Sequence, residues 1–385
     1  HNSEVIVDCL FGNGLNRDVQ GEPATIIQAI NETDATVISI DIASGLDATT
    51  GRIRQAAVQA DVTLALDCIK KGSLVAQGPQ VSGDIRCLDI GIVHEEKDGI
   101  PVLDQSWARA HLPARSPFSH KGTFGKALLV GGSQSMPGAL SMAARACYAA
   151  GIGTLTLMVP DVIADLIAQK IDFAMRLVAP SQEGGFAGSA VDLLKEHLEP
   201  YDLIAIGNGM GRTAVTEEMV KAVLESDKPV LLDADAFWAI RNQPHLLKRK
   251  AVTMLSPHVK ECSYVLNQET KSIQNDVIEA AKEFSALYPD VTLLLKSSIS
   301  LLSQGQQQCL LHRPNSALAK GGSGDILCGL IAGMYGQSRD AYRSMALAAY
   351  IHACCAETKK DPAVAGPDDF IDRINTVIQS LREVK

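Results

Sequence analysis

At residues 319–327 the chain reads Ala319-Lys320-Gly321-Gly322-Ser323-Gly324-Asp325-Ile326-Leu327, a glycine-dense loop followed at once by an apolar helical pattern. Glycine permits sharp turns, so several backbone N–H groups of such a loop can point at one place. The first turn of a helix adds a partial positive charge there. The loop therefore predicts a phosphate site, although the spacing fits equally well an ordinary loop whose aspartate matches the helix dipole.

Asp325 is the candidate catalytic residue of this loop. It falls in the first turn of the predicted helix, where the positive helix end favours an ionised carboxylate. An ionised carboxylate beside a bound phosphate can take the proton of an alcohol, as phosphoryl transfer requires. The chain contains no G-x-x-x-x-G-K-[ST] motif, so a P-loop does not hold the phosphates.

The composition limits the classes of protein to which the chain can belong. It has 385 residues, of which 46% are hydrophobic and 21% charged, and a net charge of −9. At about 150 residues per domain the length predicts two domains. The acidic balance argues against nucleic acid as a partner, and no uncharged run reaches the ~20 residues of a membrane-spanning helix.

The amino terminus and the cysteines indicate the compartment. The chain starts with His1-Asn2-Ser3-Glu4, without an initiator methionine or a signal region, so we expect a cytoplasmic protein with a cut or processed end. The nine cysteines form no C-x-x-C pair and the nine histidines no H-E-x-x-H motif. These counts predict reduced thiols and no zinc catalyst.

Short apolar strand patterns alternate with helical patterns along the chain, which predicts the α/β class. The first part has strand patterns at 4–10, 35–41, 61–66 and 86–92 and a helix pattern at 24–31. The second part has strand patterns at 126–130, 153–159, 201–206, 230–233 and 291–296, and helix patterns at 139–150, 214–225, 325–335, 341–358 and 368–383. The polar residues 98–117 predict a linker between domains 1–97 and 118–385.

Further candidates stand at predicted strand ends, where α/β sheets bind ligands. The glycine-rich residues 207–211 fit either a close ligand approach or a tight turn. Asp233 and Asp235 fit water-mediated Mg²⁺ binding or helix capping, and His258 fits a substrate contact or a structural role. Burial of Lys296 requires an anionic partner, which indicates a nearby phosphate.

Six motifs follow one another in the second part: His120-Lys121-Gly122, Met136-Pro137-Gly138-Ala139, Gly207-Asn208-Gly209-Met210-Gly211, Asp233-Ala234-Asp235-Ala236, Ser256-Pro257-His258 and Asn315-Ser316-Ala317-Leu318-Ala319-Lys320-Gly321-Gly322-Ser323-Gly324-Asp325. In order and spacing they resemble the NAD(P)H-hydrate dehydratases, a branch of the ribokinase-like fold. The resemblance implies a three-layer α/β/α domain.

The resemblance also implies an activity and a set of site residues. The expected reaction is the ADP-dependent dehydration, with Mg²⁺, of the S-form of hydrated NADH or NADPH to NADH or NADPH, with release of AMP and phosphate; ATP is the alternative nucleotide. The implied residues are Asp325 for catalysis, Lys296, Ser297, Ser298, Ile299, Ser300, Gly321, Gly322, Ser323 and Gly324 for the nucleotide, and Ala139, Gly211, His258 and Asp325 for the hydrate. This chain departs from the family pattern at Val259-Lys260, where Pro-Gly is usual, and at Ser297, where glycine is expected.

Three motifs in the first part resemble the second half of an NAD(P)H-hydrate epimerase domain, which has a Rossmann-like α/β fold: Val7-Asp8-Cys9-Leu10-Phe11-Gly12-Asn13-Gly14-Leu15, Asp41-Ile42-Ala43-Ser44-Gly45-Leu46 and Ala60-Asp61-Val62-Thr63. The family's usual proline is Ala43 here. The resemblance implies K⁺ binding by Asp8 and Ser44, and hydrate contacts by Gly12, Asn13, Gly14, Leu15, Asn16, Arg17, Asp18 and Asp41. In an intact protein this part epimerises R and S hydrates; because half of the epimerase site precedes this chain, we do not expect the chain itself to do so.

Two other functions fit the same residues. A small-molecule kinase of the same fold uses the same glycine loop and aspartate and releases a stable phosphorylated product. A nucleotide-binding module without turnover fits the departures at Val259, Lys260 and Ser297, but not an intact Asp325. Oligomers with shared sites fit this fold, so a homo-oligomer is the expectation.

Overall fold

The computed structural model describes residues 3–93 and 99–383. The chain divides into two compact units: one comprises the residues up to Ile100 together with Lys271–Ala280, and the other comprises Pro101–Thr270 and Ala281–Lys385. Residues 95–98, the acidic part of the predicted domain boundary, lie outside the described residues.

The first unit contains a parallel sheet of four strands in the order β1-β2-β3-β4. One small cluster of its core packs Val19, Ile27, Val37 and Val58 together. The elements of this unit before residue 100 are β1 (Val5–Asp8), α1 (Glu22–Asn31), β2 (Thr36–Ile40), β3 (Val62–Leu66), α2 (Gly78–Val81) and β4 (Asp84–Leu88).

The second unit is built on a sheet of nine strands in the order β15-β14-β13-β12-β11-β10-β5-β6-β7. Each pair of adjacent strands from β13 to β7 is parallel, whereas β14 pairs antiparallel with both β13 and β15. The strands β8 and β9 form a separate hairpin. The bounds are β5 (Lys126–Val130), β6 (Thr154–Pro160), β7 (Met175–Ala179), β8 (Ser181–Gln182), β9 (Gly185–Phe186), β10 (Leu203–Ile206), β11 (Val230–Leu232), β12 (Thr253–Leu255), β13 (Val291–Lys296), β14 (Ser300–Gln304) and β15 (Gln307–Leu311).

Helices cover this sheet, and the largest hydrophobic core lies where α4, α12, α13 and α14 pack together and onto the strands. The α-helices after residue 100 are α3 (Gln105–His111), α4 (Pro137–Ala149), α5 (Asp161–Lys170), α6 (Ala190–Glu196), α7 (Ala214–Leu224), α8 (Asp235–Ala239), α9 (Val259–Leu266), α10 (Thr270–Asn275), α11 (Val277–Leu287), α12 (Ser323–Ser338), α13 (Ala341–Ala356) and α14 (Pro367–Arg382). Of these, α10 after Thr270 and the start of α11 up to Ala280 belong to the first unit. In the described parts of the chain, no helix is both long and apolar enough to cross a membrane.

The structure confirms the predicted α/β class, and β5 and β13 begin and end at the predicted residues. It also contains elements that the patterns missed, including β14, β15 and the hairpin of β8 and β9. Within residues 98–117, predicted as a linker, helix α3 packs Ala108 into the core of the second unit. The domain limits at 97 and 118 stay a prediction.

Helices α12 and α4 pack so closely that their backbones are in contact, because glycines of α12 face α4. A Cβ atom built on Gly329 would stand 2.1 Å from the carbonyl oxygen of Ala143, and one on Gly333 would stand 2.6 Å from that of Cys147. Real Cβ atoms do not approach so closely, so larger residues at these positions would push the helices apart.

Gly329→Ala is therefore expected to lower the free energy of unfolding by about 1–3 kcal/mol, the usual cost of an overpacked core. The matched control is Gly138→Ala in α4, because a Cβ there meets nothing within 4 Å. Urea denaturation of both variants checks this, and equal stability of the two would contradict the close contact.

Candidate active site

Five polar side chains meet at the carboxyl ends of four neighbouring strands and the start of α12. Asn208 follows β10, Asp233 follows β11, Ser256 follows β12, Lys296 ends β13, and Asp325 lies in the first turn of α12. We call this group the polar cluster. Parallel strands place their carboxyl ends at one edge of the sheet, which is where α/β proteins bind ligands.

Asp233 is the most buried carboxylate of the polar cluster, with 2% of the residue exposed. It accepts hydrogen bonds from Ser256 Oγ at 2.9 Å, Asn208 Nδ2 at 3.0 Å and Lys296 Nζ at 3.1 Å. Burial opposes the charge on Lys296, but attraction to Asp233 and Glu261 outweighs it and raises the pKa of Lys296. The anionic partner predicted for Lys296 is thus a carboxylate of the chain itself.

Asp325 is joined to this pair through Asn208, whose Nδ2 also donates to Asp325 Oδ1 at 2.7 Å. Burial first, and then repulsion by Asp233, raise the pKa of Asp325 to about 6. The bond from Asn208 and the charge of Lys296 act in the opposite direction. The carboxylate is therefore ionised at pH 7, as the sequence predicts, but neutral in mild acid.

The glycine loop runs beside the polar cluster. Gly322 adopts a left-handed conformation, with φ of +92°, at the N-cap of α12. A Cβ on Gly324 would lie 3.6 Å from Lys296 Nζ, so the ammonium group stands next to bare backbone at the helix start. Backbone amides, the helix dipole and one cation therefore combine where the sequence predicts a phosphate.

Ser323 is buried in this loop, and its Oγ lies 3.2 Å from Nε2 of His352 on α13. Burial lowers the pKa of His352 to about 4, which keeps the ring neutral. Gly321 is exposed, and a Cβ there would meet nothing within 4 Å. The loop is thus anchored at Ser323 and open at Gly321.

His258 lies at the N-cap of α9 and has a structural role there. Its Nδ1 accepts from the N–H of Glu261 at 3.2 Å, and Glu261 Oε2 accepts from the N–H of His258 at 2.8 Å. Burial lowers the pKa of His258 and raises that of Glu261 to about 7. The ring of His258 remains half exposed beside Lys296, so capping leaves it accessible to a ligand.

A cavity of about 550 Å³ opens beside the loop at 207–211 and the hairpin of β8 and β9. We call it the hairpin cavity. Its lining includes Ser133, Gln134, Gly211 and the hairpin residues 182–186, and Gln134 N donates to Gly184 O at 2.7 Å. The predicted hydrate contact Ala139 borders the same loop, because a Cβ on Gly209 would lie 3.0 Å from that of Ala139.

A second cavity, of about 420 Å³, lies between the turn after β13 and the start of α12. We call it the serine cavity. Ser297, Ser298 and Ser300 line it together with Asn315, His352 and other residues, whereas the predicted nucleotide residue Ile299 is buried. The structure therefore places the three serines on one cavity wall and Lys296 in the polar cluster.

Asp235 and Asp233 do not cap α8, which corrects one of the two readings of these residues. The N-cap of α8 is Ala234, without a side-chain cap. Asp235 Oδ2 instead accepts from the N–H of Gly211 at 2.9 Å and so fixes the loop at 207–211.

In the first unit Asp8 and Ser44 lie in direct contact. Asp8 is 1% exposed, and its Oδ1 accepts from Ser44 Oγ at 2.6 Å. Asp8 Oδ2 accepts from Ser39 Oγ at 2.7 Å, and Ser44 Oγ lies 3.2 Å from the carbonyl oxygen of Phe11. Several oxygen atoms therefore converge at the pair predicted to bind K⁺.

The remaining predicted hydrate contacts of this unit lie in an exposed loop, at Gly12, Asn13, Gly14, Asn16, Arg17 and Asp18, with Leu15 partly buried. Asp41 forms an ion pair with Lys70. Lys70 was not predicted from sequence, because nothing in the pattern of residues 66–71 marks a lysine that contacts a carboxylate 29 positions earlier.

The contribution of Asn208 and Ser256 to the polar cluster was not predicted from sequence either. Nor was the hairpin of β8 and β9 beside the hairpin cavity. For the two residues the available signal was their position, since Asn208 is the second residue after the buried strand β10 and Ser256 is the first after β12. The hairpin gave none, because its strands have two residues each.

Comparison with known families identifies two segments. A family model described as NAD(P)H-hydrate dehydratase matches residues 127–376, and one described as YjeF-related protein N-terminus matches residues 1–72. The bifunctional NAD(P)H-hydrate repair enzyme Nnr of Moorella thermoacetica is 32% identical across 99% of this chain and 74% of its own length. The enzyme of the same name from Methanothermobacter thermautotrophicus is 30% identical across 98% of this chain and 72% of its own length.

Solved structures show the same relationship. The ADP/ATP-dependent NAD(P)H-hydrate dehydratase from Bacillus subtilis, co-crystallised with ATP and Mg²⁺, is 29% identical, with a TM-score of 0.65 over 74% of this chain and 100% of that one. A ribokinase-like superfamily protein from Enterococcus faecalis, 21% identical, has a TM-score of 0.65 over 76% of this chain and 100% of that one. This second similarity concerns the fold alone and agrees with the ribokinase-like architecture expected from sequence.

The buried pair predicts a specific pattern of stability. Lys296→Met removes the charge but keeps much of the volume, so it should lower the free energy of unfolding by about 3 kcal/mol because Asp233 is left buried and unpaired. The double variant Lys296→Met with Asp233→Asn should recover most of this loss. Chemical denaturation of the two single variants and the double variant tests it; a double variant less stable than Lys296→Met would contradict the pairing.

Proposed function

This chain belongs to the NAD(P)H-hydrate dehydratase family, and from that membership we propose that it dehydrates the S-form of hydrated NADH or NADPH with ADP, releasing AMP and phosphate. The observation that carries the proposal is the position of Asp325 at the glycine-lined start of α12, tied to the buried Asp233–Lys296 pair. The hairpin cavity reaches the loop that holds Asn208, and the serine cavity reaches Leu327. We propose that the hydrate occupies the hairpin cavity and the nucleotide the serine cavity, so that their reacting groups meet at Asp325.

The first step is transfer of the terminal phosphoryl group of the nucleotide to the hydrate. The backbone N–H groups of Gly321, Gly322 and Gly324, with the helix dipole and Lys296, would hold that phosphoryl group. Asp325 would accept the proton of the hydrate hydroxyl while the hydroxyl oxygen forms its bond to phosphorus. AMP leaves as the bond to the terminal phosphorus breaks.

The second step is loss of phosphate from the ring. The phosphorylated carbon lies beside the ring nitrogen, whose lone pair expels phosphate, and loss of a proton restores the reduced nicotinamide. The protein therefore needs mainly to position two substrates and to balance charge. The proposed hydrate contacts are Ala139 and Gly211, at the loop 207–211 beside the hairpin cavity, and His258, beside Lys296 of the polar cluster. The proposed nucleotide contacts also include Ser297, Ser298, Ile299, Ser300 and Ser323.

The polar cluster also fits Mg²⁺. In nucleotide sites this ion keeps several waters and binds through phosphates and one or two carboxylates. Within residues 3–93 and 99–383, no three His, Cys, Asp or Glu side chains form a complete metal cage. Asp233 and Asp325 would hold Mg²⁺ together with the nucleotide phosphates, and the ion would neutralise phosphate charge.

For the first unit we propose the epimerase fold of an intact repair enzyme, in which R and S hydrates are interconverted. The oxygens of Asp8, Ser44 and Phe11 fit K⁺, which takes oxygen ligands in proteins. The loop from Gly12 to Asp18 and Asp41 with Lys70 would contact the hydrate. The proposal also includes a domain boundary within residues 98–117, a cytoplasmic location and a homo-oligomeric state. The proposed partners are small molecules rather than nucleic acid.

The direct test is incubation with the S-hydrate of NADH, Mg²⁺ and either ADP or ATP. We expect the absorbance of the dihydronicotinamide ring to return while free phosphate appears in equal amount, with ADP the better nucleotide. A stable phosphorylated product without ring recovery would instead identify a small-molecule kinase, and nucleotide binding without either product would identify a non-catalytic module. Heat-denatured protein controls for spontaneous dehydration.

The acid limb of the pH profile should report Asp325. Because its pKa is raised to about 6, the base is protonated and lost as the pH falls. We expect kcat/KM for the hydrate to fall about tenfold per pH unit below pH 6. Asp325→Asn should lower kcat about 10²- to 10⁴-fold and remove this limb, while nucleotide affinity stays within about twofold. Wild-type turnover in Asp325→Asn would overturn the assignment.

A further inference from the structure

Asn208 occupies the centre of the polar cluster, but the reaction steps described above do not use it. The residue is 1% exposed. Its Nδ2 donates to Asp325 Oδ1 at 2.7 Å and to Asp233 Oδ2 at 3.0 Å. The two amide hydrogens are therefore divided between two carboxylates that belong to different elements, the start of α12 and the end of β11.

A thiol holds the other end of this amide. The oxygen Oδ1 of Asn208 accepts from Cys328 Sγ at 3.2 Å. Cys328 is completely buried on α12, one turn after Asp325, and burial raises its thiol pKa well above the ordinary value, so it stays protonated and can donate. Rotation of the amide by 180° would place Oδ1 against the two carboxylates and leave the amide group facing the thiol hydrogen.

The charges around Asp325 show why a neutral donor is needed there. Asp233, from the end of β11, and Asp235, from α8, repel its carboxylate, whereas Lys296, from β13, attracts it. Lys296 already bonds Asp233. Without a donor between them, two buried carboxylates would face each other and Asp325 would turn away to regain solvation.

We propose that Asn208 is a positioning residue of the reaction: held by the Cys328 thiol, its amide fixes the Asp325 carboxylate and links it to the Asp233–Lys296 pair. The inference rests on the proposed function, since Asp325 is taken as the group that contacts the hydrate hydroxyl. It adds a requirement that the function alone does not have, namely a hydrogen-bond donor at position 328.

Three variants test the proposal in the full chain, with kcat from the coupled ring and phosphate assay and ADP affinity from calorimetry. Asn208→Ala should lower kcat about 10- to 100-fold, as loss of a hydrogen bond to a charged group does, while the Kd for ADP stays within about twofold. Cys328→Ala should lower kcat about fivefold by releasing the amide. Cys328→Ser keeps a donor and should stay within about twofold of the wild type.

The matched control is Cys147→Ala. Cys147 is also completely buried, in α4 against α12, so this variant opens a similar cavity next to the same helix. We expect its kcat within about twofold of the wild type. This comparison separates loss of the donor from loss of packing.

Each outcome decides the question. Wild-type kcat in Asn208→Ala, or equal loss in Cys328→Ser and Cys328→Ala, overturns the proposal, as does a loss confined to ADP affinity. If Asn208→Ala fails to fold, the cysteine pair decides alone. An active wild type with unaffected variants contradicts only this inference, whereas an inactive wild type contradicts the proposed function and the inference with it.

Discussion

The polar cluster of the second unit depends on one constraint: the buried carboxylate of Asp233 needs hydrogen-bond donors. Asp233 is 2% exposed, and a charge so placed is tolerated only because three donors surround it. Those donors, on Asn208, Ser256 and Lys296, come from the ends of three different strands, so the sheet register must be correct for them to meet. Asp325 accepts a hydrogen bond from Asn208, so its position also depends on the sheet.

Much of the fold follows from local pattern. Buried strands such as Lys126–Val130 and Val291–Lys296, and long helices such as Ser323–Ser338, have an apolar pattern that depends only on their own residues. The antiparallel strands β14 and β15 escaped prediction because serine and glutamine interrupt their apolar runs. Their strand state depends on pairing with β13 and with each other, which the sequence pattern does not encode.

The parts of the candidate site that lie close together in sequence were predictable. The parts that depend on tertiary contacts were not. The glycine loop and Asp325 are contiguous, so their role as a helix start was visible. The raised pKa of Asp325 was not, because it arises from burial and from Asp233, which lies far away in the sequence. Lys296 was correctly expected to need an anion, but its partner is 63 positions away. The bonds of Asn208 to Asp325 and Cys328 span 117 and 120 positions and leave no trace in spacing.

The glycine contact between α4 and α12 has a mechanical consequence. With backbone against backbone at Gly329 and Gly333, neither helix can slide by a turn without collision, so the two behave as one rigid block. The start of α4 carries Ala139 and the start of α12 carries Asp325, and the block holds these two points at a constant separation. A movement that admits or releases small molecules would therefore leave α4 and α12 in register with each other.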